Sequence, residues 1–204
     1  MMTLSAAQVS RVLLTRRTTL ACVGAAASLL WRGRAAAVEP EVPIRLQVSL
    51  LDRVIPYDRN FASRVHAQLS VAILVDAGNA DSVRIGALLQ SELSSLDSLG
   101  SYPLTATRVI FRGVATLVDD CKRLRAGVVY VTPGIREPIG QLAAALVGLR
   151  VLTACTLPEQ VEQGMIVGSA VRSGKPRVLV NLSQARLQDV DFRADFLRMA
   201  EVVG

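Results

Sequence analysis

Apolar positions along this chain alternate between two spacings, and the alternation predicts its elements. Leu69 to Val75 is a nearly continuous apolar run closed by Asp76-Ala77-Gly78-Asn79, the pattern of a strand buried on both faces. Upstream, Val48, Leu51, Val54 and Ile55 fall at helical spacing over 48–61, and Pro56 breaks or kinks that helix. Downstream, Asp81 is positioned to cap a helix whose Ile85, Leu89, Leu93 and Leu96 share one face. Residues 99–103 read as a loop, and Thr107 to Phe111 as a second strand. Val114, Leu117, Val118, Cys121 and Leu124 line a second helix, which Gly127 is expected to end. Val128 to Val131 is a third strand, stopped by Thr132-Pro133-Gly134. Ile139, Leu142, Ala143 and Leu146 give another helical stripe, and Arg150 to Cys155 a fourth strand.

Strand and helix alternating with connections of a few residues imply right-handed crossovers and an open, mainly parallel sheet flanked by helices. The end of the chain departs from that rhythm. Residues 166–171 and 177–180 flank Ser173-Gly174-Lys175, a turn signal, so an antiparallel hairpin is expected there. A short helix through Ala185 and a closing helix carrying Phe196, Leu197, Ala200 and Val203 complete the expected α/β domain over 44–204.

Charge first suggests an anionic partner, since 23 basic residues face 17 acidic ones. Position removes the suggestion. Five arginines (Arg11, Arg16, Arg17, Arg32 and Arg34) fall before Val38 with no acid among them, which leaves 18 basic against 17 acidic side chains. Few aromatics and no basic run longer than a pair argue against a nucleic-acid partner. Residues 1–37 instead have the parts of a secretory signal: a basic start, an apolar stretch from Leu20 to Trp31, and Ala35-Ala36-Ala37 before a cleavage expected after Ala37. Thr15-Arg16-Arg17-Thr18-Thr19-Leu20 resembles the twin-arginine export motif, with Thr19 where that pattern usually has Phe. The apolar run is too short for a membrane anchor, so the expected location is the periplasm, after signal cleavage.

Candidate chemistry is sparse. Cys121 and Cys155 remain after the signal and would pair in an oxidising compartment, or else serve as small core hydrophobes. Their spacing matches no metal motif. His66 is the single histidine, so a Ser-His-Asp or Cys-His site would have to use it, and a surface or capping role is the simpler reading. Asp119 and Asp120 adjoin on a predicted helix, where neighbouring carboxylates face different ways. Gly78, Gly113 and Gly134 lie near strand-to-helix junctions, where open α/β sheets take small ligands. None belongs to a phosphate-cradling pattern, and turn geometry accounts for each. Arg172 and Lys175 beside the hairpin turn are candidate partner contacts, with edge protection as the plainer alternative. No catalytic, cofactor-binding or metal-binding residue is assigned.

The order and spacing of residues 50–58, 71–75, 128–133, 164–166, 177–182 and 196–203, with Asn181-Leu182-Ser183-Gln184-Ala185 after the hairpin, resemble the YfiR-like periplasmic regulators. That resemblance implies a non-enzymatic, usually dimeric brake. It would bind the periplasmic part of an inner-membrane diguanylate cyclase and hold cyclic di-GMP synthesis down. Members of the best-studied type respond to redox through cysteines near the positions of Ile73, Gly127 and residues 162–167, which this chain lacks. The alternative from another class is a periplasmic small-ligand carrier or sensor. An exported hydrolase built on His66 is the third reading.

Overall fold

The computed structural model describes residues 38–204, so the expected export signal lies outside the described residues. Helix α1 spans Ile44–Val54 and leads through two 3-10 turns, Ile55–Tyr57 and Phe61–Arg64, into strand β1, Leu69–Val75. Then follow α2 (Ala80–Ser94), β2 (Ser98–Leu99), β3 (Tyr102–Ile110), α3 (Val114–Leu124), β4 (Ala126–Val131), α4 (Ile139–Leu146) and β5 (Leu152–Cys155). A five-residue α5 (Pro158–Glu162) precedes the hairpin β6 (Val167–Arg172) and β7 (Lys175–Asn181). The described chain closes with α6 (Leu182–Leu187), α7 (Ala194–Leu197) and β8 (Glu201–Val203).

These strands form one eight-stranded sheet in the order β2-β3-β1-β4-β5-β6-β7-β8. β3, β1, β4, β5 and β6 run parallel, and β6 and β7 form the expected antiparallel hairpin. From β1 the chain crosses to β3 on one side, then returns past β1 to β4 on the other. The two crossovers use helices on opposite faces, as crossovers of one hand moving in opposite directions must. Ile85, Leu89 and Leu93 of α2 join α1, Phe192 and Phe196 over one face. Leu117 and Cys121 of α3 join Leu142 and Leu146 of α4 over the other. Between these layers β1 keeps six of its seven residues fully buried.

Several boundaries differ from the expectation, each for a local reason. The cap of α2 is Asn79, whose side chain accepts from the Ser82 amide, and Asp81 sits in the first turn beside the helix dipole. The expected loop at 99–103 is a tight hairpin: Gly100 and Ser101 both take positive φ and join β2 to a β3 that starts five residues early. A Cβ on Gly100 would stand 2.1 Å from Ile55 Cγ2, so the turn sits directly on the core. Arg125, not Gly127, ends α3 in a left-handed conformation, and Gly127 lies inside β4. The closing helix stops at Leu197. Ala200 and Val203 share helical spacing with Phe196, but residues 201–203 pair parallel with β7, because bonding to its open edge satisfies main-chain groups that a frayed helix end leaves to water.

A buried ion pair ties the 3-10 turns to the C-terminal segment. Arg64 bonds the Asp58 carboxylate and the Asp189 carbonyl, and both charged side chains are almost wholly out of solvent. Asp58 Oδ1 also accepts from the Asn60 and Asp191 amides, at 3.1 and 3.0 Å. Arg59 N to Asp191 O and Arg193 N to Tyr57 O, each 2.9 Å, complete the seam. Removing one partner strands the other charge in a low-dielectric site. Asp58→Ala is therefore expected to lower unfolding stability by about 3 to 5 kcal/mol in urea titration, far more than loss of the exposed Arg59–Asp191 pair.

Candidate functional site

The crossover reversal places a switch point between β1 and β4, at their carboxyl ends, where open α/β sheets present a crevice for ligands. In this chain its own side chains fill that position. Asp76, which follows β1, has no exposed surface. Arg136, from the loop after β4, lies over it and donates twice, Nε to Oδ2 at 2.7 Å and Nη2 to Oδ1 at 3.0 Å. The Gly78 amide donates to Oδ1 at 2.8 Å. Hydrogen bonds from Arg136 hold the Asp76 carboxyl below the usual carboxylate range, outweighing the burial that would raise it.

Beneath the carboxylate runs a hydroxyl relay whose direction can be worked out proton by proton. The Thr132 hydroxyl donates to the Leu74 carbonyl at 2.7 Å. Having spent its single proton there, it accepts from Ser82 Oγ, 2.5 Å away, and Ser82 Oγ accepts in turn from the Asp76 amide at 2.8 Å. The relay locks the first turn of α2 to the ends of β1 and β4. Two further amides seal the neighbouring strand ends. Gln160 donates to the Thr132 carbonyl at 3.1 Å, and Gln47 donates to the Val42 and Thr156 carbonyls while accepting from the Tyr130 hydroxyl at 2.9 Å. Burial pushes the Tyr130 phenol far up, so it stays a neutral donor.

The three glycines singled out from sequence separate here. Gly78 supplies an amide to Asp76, and Gly134, at φ 71°, lies against the capping Asn79, whose Nδ2 would be 2.2 Å from a Cβ. Gly113, at φ 124°, precedes α3 with open space around it. Turn geometry and close packing account for them without a ligand. Arg136 is the residue that sequence reasoning missed, because a lone Arg two residues after a Pro-Gly turn carries no signal until β1 and β4 lie side by side.

Of the other candidates, His66 and Cys121 come to the lining of one cavity and Arg172 and Lys175 to facing positions of the hairpin, while the rest lie apart. His66 is exposed in the turn before β1. Asp119 is exposed while Asp120 is buried and accepts from Arg123 at 2.6 Å, so the two carboxylates face different ways as expected. The bond considered between Cys121 and Cys155 is not formed: both are free, buried thiols. Cys121 shares a cavity wall with Val151, just before β5, whereas Cys155 ends that strand and donates to the Leu157 and Val167 carbonyls at 3.4 Å. Arg172 and Lys175 face each other across the hairpin, where Arg172 pairs with Glu201 at 3.2 Å. Among the described residues Lys175 has no ion-pair partner, and no three His, Cys, Asp or Glu side chains converge as metal ligands.

At the opposite, amino end of the sheet, two adjoining cavities have a basic lining. One, of 210 Å³, is bounded by Arg64, His66, Lys122, Arg125 and Arg150 among others. The second, of 350 Å³, shares His66 and Arg125 and adds Thr105, Thr107 and Arg123. No acidic residue lines either.

Two measurements test this account. Arg136→Ala is expected to lower the urea midpoint at neutral pH by leaving Asp76 ionised and buried. A depressed folded pKa contributes stability that is complete above the unfolded carboxyl value and is lost as pH falls through the folded one, so the gap to the unaltered protein should close below about pH 4. Burial pushes the Cys121 thiol up to about 12, leaving roughly a thousandth of the ordinary thiolate. Native labelling of Cys121 and Cys155 with a thiol reagent at about pH 8 should therefore run at least about 100-fold slower than in denaturant.

The comparisons with known proteins follow the same division between fold and site. No curated protein matches the chain. A conserved domain protein from Vibrio cholerae O1 biovar El Tor superposes with a TM-score of 0.56 at 13% identity, over 79% of this chain and 60% of that one. An ABC domain in complex with L-Trp from Streptococcus pneumoniae gives 0.55 at 10%, over 79% and 62%. The ligand-free, open form of a substrate-binding protein with adhesive properties from Clostridium difficile gives 0.55 at 10%, over 81% and 61%. This chain thus spans about three fifths of the length of each, and the likeness is one of fold. Residues 75–201, from the last residue of β1 to the first of β8, match the YfiR/HmsC-like description. A match over that much of the chain, on an α/β frame with the hairpin and closing segment in place, shows that the protein belongs to the YfiR/HmsC-like family.

Proposed function

We propose that the protein is a periplasmic regulator that acts by binding another protein, and that it represses an inner-membrane diguanylate cyclase and so cyclic di-GMP signalling. Membership of the YfiR/HmsC-like family, a family of periplasmic regulators, is the observation that carries the reading. Two structural features support it. The described residues include no helix long and apolar enough to cross a membrane. The switch-point crevice is occupied by Asp76 and Arg136, a structural anion under its own cation, which leaves neither side chain free as a base or nucleophile.

Repression by binding needs a difference in affinity between the inactive and active cyclase. Shifting an evenly populated equilibrium to about 1% active requires roughly 100-fold tighter binding of the inactive form, about 2.7 kcal/mol. An interface of ordinary size can supply that. The protein needs no chemistry and no cofactor for it, and a homodimer would present the binding surface twice. Export through residues 1–37 by the twin-arginine route, with cleavage after Ala37, would bring it to the partner's side of the membrane.

The reading predicts three results. Affinity capture from solubilised envelope should recover a membrane protein with a periplasmic sensor and a cyclase domain. Deleting the gene should raise cellular cyclic di-GMP several-fold, and Arg16→Lys with Arg17→Lys should reproduce the deletion by blocking export. Capture without any such membrane protein, together with unchanged cyclic di-GMP, would count against it. Saturable thermal stabilisation by a single metabolite would instead favour the ligand-carrier reading, which shares the fold of the substrate-binding structures.

A further inference from the structure

We infer that the outer edge of β3 docks an extended, acidic segment of a protein partner, which adds to the sheet as a further strand. The inference rests on the reading that this protein works by binding another protein, and names the surface and chemistry that would do so.

β2 pairs with β3 through Tyr102 and Pro103 alone. From Thr105 to Ile110 the far side of β3 faces no strand among the described residues. The direction of the main-chain groups follows from one bond. The Phe111 amide donates to the Val75 carbonyl at 2.8 Å, so the odd-numbered residues point toward β1 and Leu104, Ala106, Arg108 and Ile110 point outward. Among the described residues the Leu104 amide is engaged through the Ser98↔Pro103 pairing, since Pro103 has no N–H of its own, and the Ala106 carbonyl accepts from Gln90 at 3.4 Å. The open edge therefore runs over the six residues 105–110, against three in β8 at the other end of the sheet.

Charge decides the occupant. The 350 Å³ cavity lies beside β3 on the α3 side of the sheet, lined by Ser70, Thr105 and Thr107 together with His66, Arg123 and Arg125. Of the arginines lining the cavity, Arg123 pairs with Asp120 and Arg125 has no ion pair among the described residues; the nearby Lys122 and Arg108, outside that lining, have none either. The carboxyl end of α3 favours cations here, but it amounts to about half a charge, less than the unpaired side chains carry. Arg125 keeps its place in a left-handed conformation, φ 49°, that a non-glycine residue seldom takes. A second copy of this chain paired edge to edge would set Arg108, Arg123 and Arg125 against themselves. An incoming strand with carboxylates at every second position would present them on one face, the α3 side, where Arg123 and Arg125 line the cavity. Main-chain bonds then supply affinity and alternate side chains supply selectivity.

Titration of the isotope-labelled full chain with a capped peptide of alternating Glu and Val tests the proposal, with the Lys and Val counterpart as control. The acidic peptide is expected to shift the amides of Ala106, Arg108 and Ile110 and slow their hydrogen exchange, with affinity falling as salt is raised. Ala106→Pro removes an outward amide without touching the β1 ladder, and should weaken binding at least about ten-fold at unchanged melting temperature. Should that variant fail to fold, Arg125→Glu carries the test with the same expected loss. Equal binding of the basic peptide, no protection at these three amides, undiminished binding by the variants, or a dimer of this chain that Ala106→Pro dissociates would each overturn it. A cyclase that is still captured by Ala106→Pro would sink the edge and leave the regulatory reading standing. Docking of the peptide with no cyclase recovered would do the reverse.

Discussion

The requirement that β1 and β4 be covered on both faces governs the rest of this molecule. A parallel strand in the middle of a sheet has no solvated side, so its apolar residues must find a helix layer above and below. β1 and β4 meet this with near-complete burial, and the crossovers from β1 to β3 and from β3 to β4 place α2 and α3 on opposite faces as a result. Once those two helices are committed to opposite sides, the strand order reverses beside β1. The switch point, the location of Asp76 and the open edge of β3 all follow from that reversal.

The chain fills its switch point with its own side chains. Such a crevice usually holds a ligand because main-chain amides and a helix start converge there. Here the convergence is kept, and Asp76 supplies the negative charge from within. Its carboxylate takes the Gly78 amide and the two donors of Arg136, and the Ser82 and Thr132 hydroxyls satisfy the main chain below. A buried anion so fully bonded stiffens the strand ends and engages the polar groups that converge there. The exposed face of Arg136 then presents ordinary surface, which suits a protein that recognises another protein by its periphery.

The periphery is charged unevenly. Beyond residue 37 the chain is nearly neutral, yet Arg64, Lys122, Arg123, Arg125 and Arg150 gather at the amino end of the sheet around two cavities free of acids. Helix carboxyl ends account for part of this clustering. Asp58 and Asp189 neutralise Arg64 and Arg150, so the surplus falls toward α3 and β3. The fold concentrates there what the sequence distributes over nearly ninety positions.

Local pattern was sufficient wherever burial is two-sided. Residues 69–75 and 128–131 announce their strands by uninterrupted apolar runs, and α2, α3 and α4 by stripes at helical spacing, so α/β class, element order and the hairpin were legible. It was insufficient wherever the deciding partner is remote. Phe196, Leu197, Ala200 and Val203 fit a helix by spacing, and the open edge of β7 drew the last three strand residues into the sheet. Asp81 fits the cap by sequence, yet Asn79 takes it, and the approach of Gly134 to Asn79 accompanies the choice. By itself, the sequence determined the central strands and helices, their order and the family they compose, because those depend on periodicity and order along the chain. The partnership of Asp76 with Arg136, sixty positions apart, the separation of Cys121 from Cys155, and the open basic edge of β3 were decided by tertiary structure alone. Each is a matter of which strands become neighbours, and no local spacing encodes that.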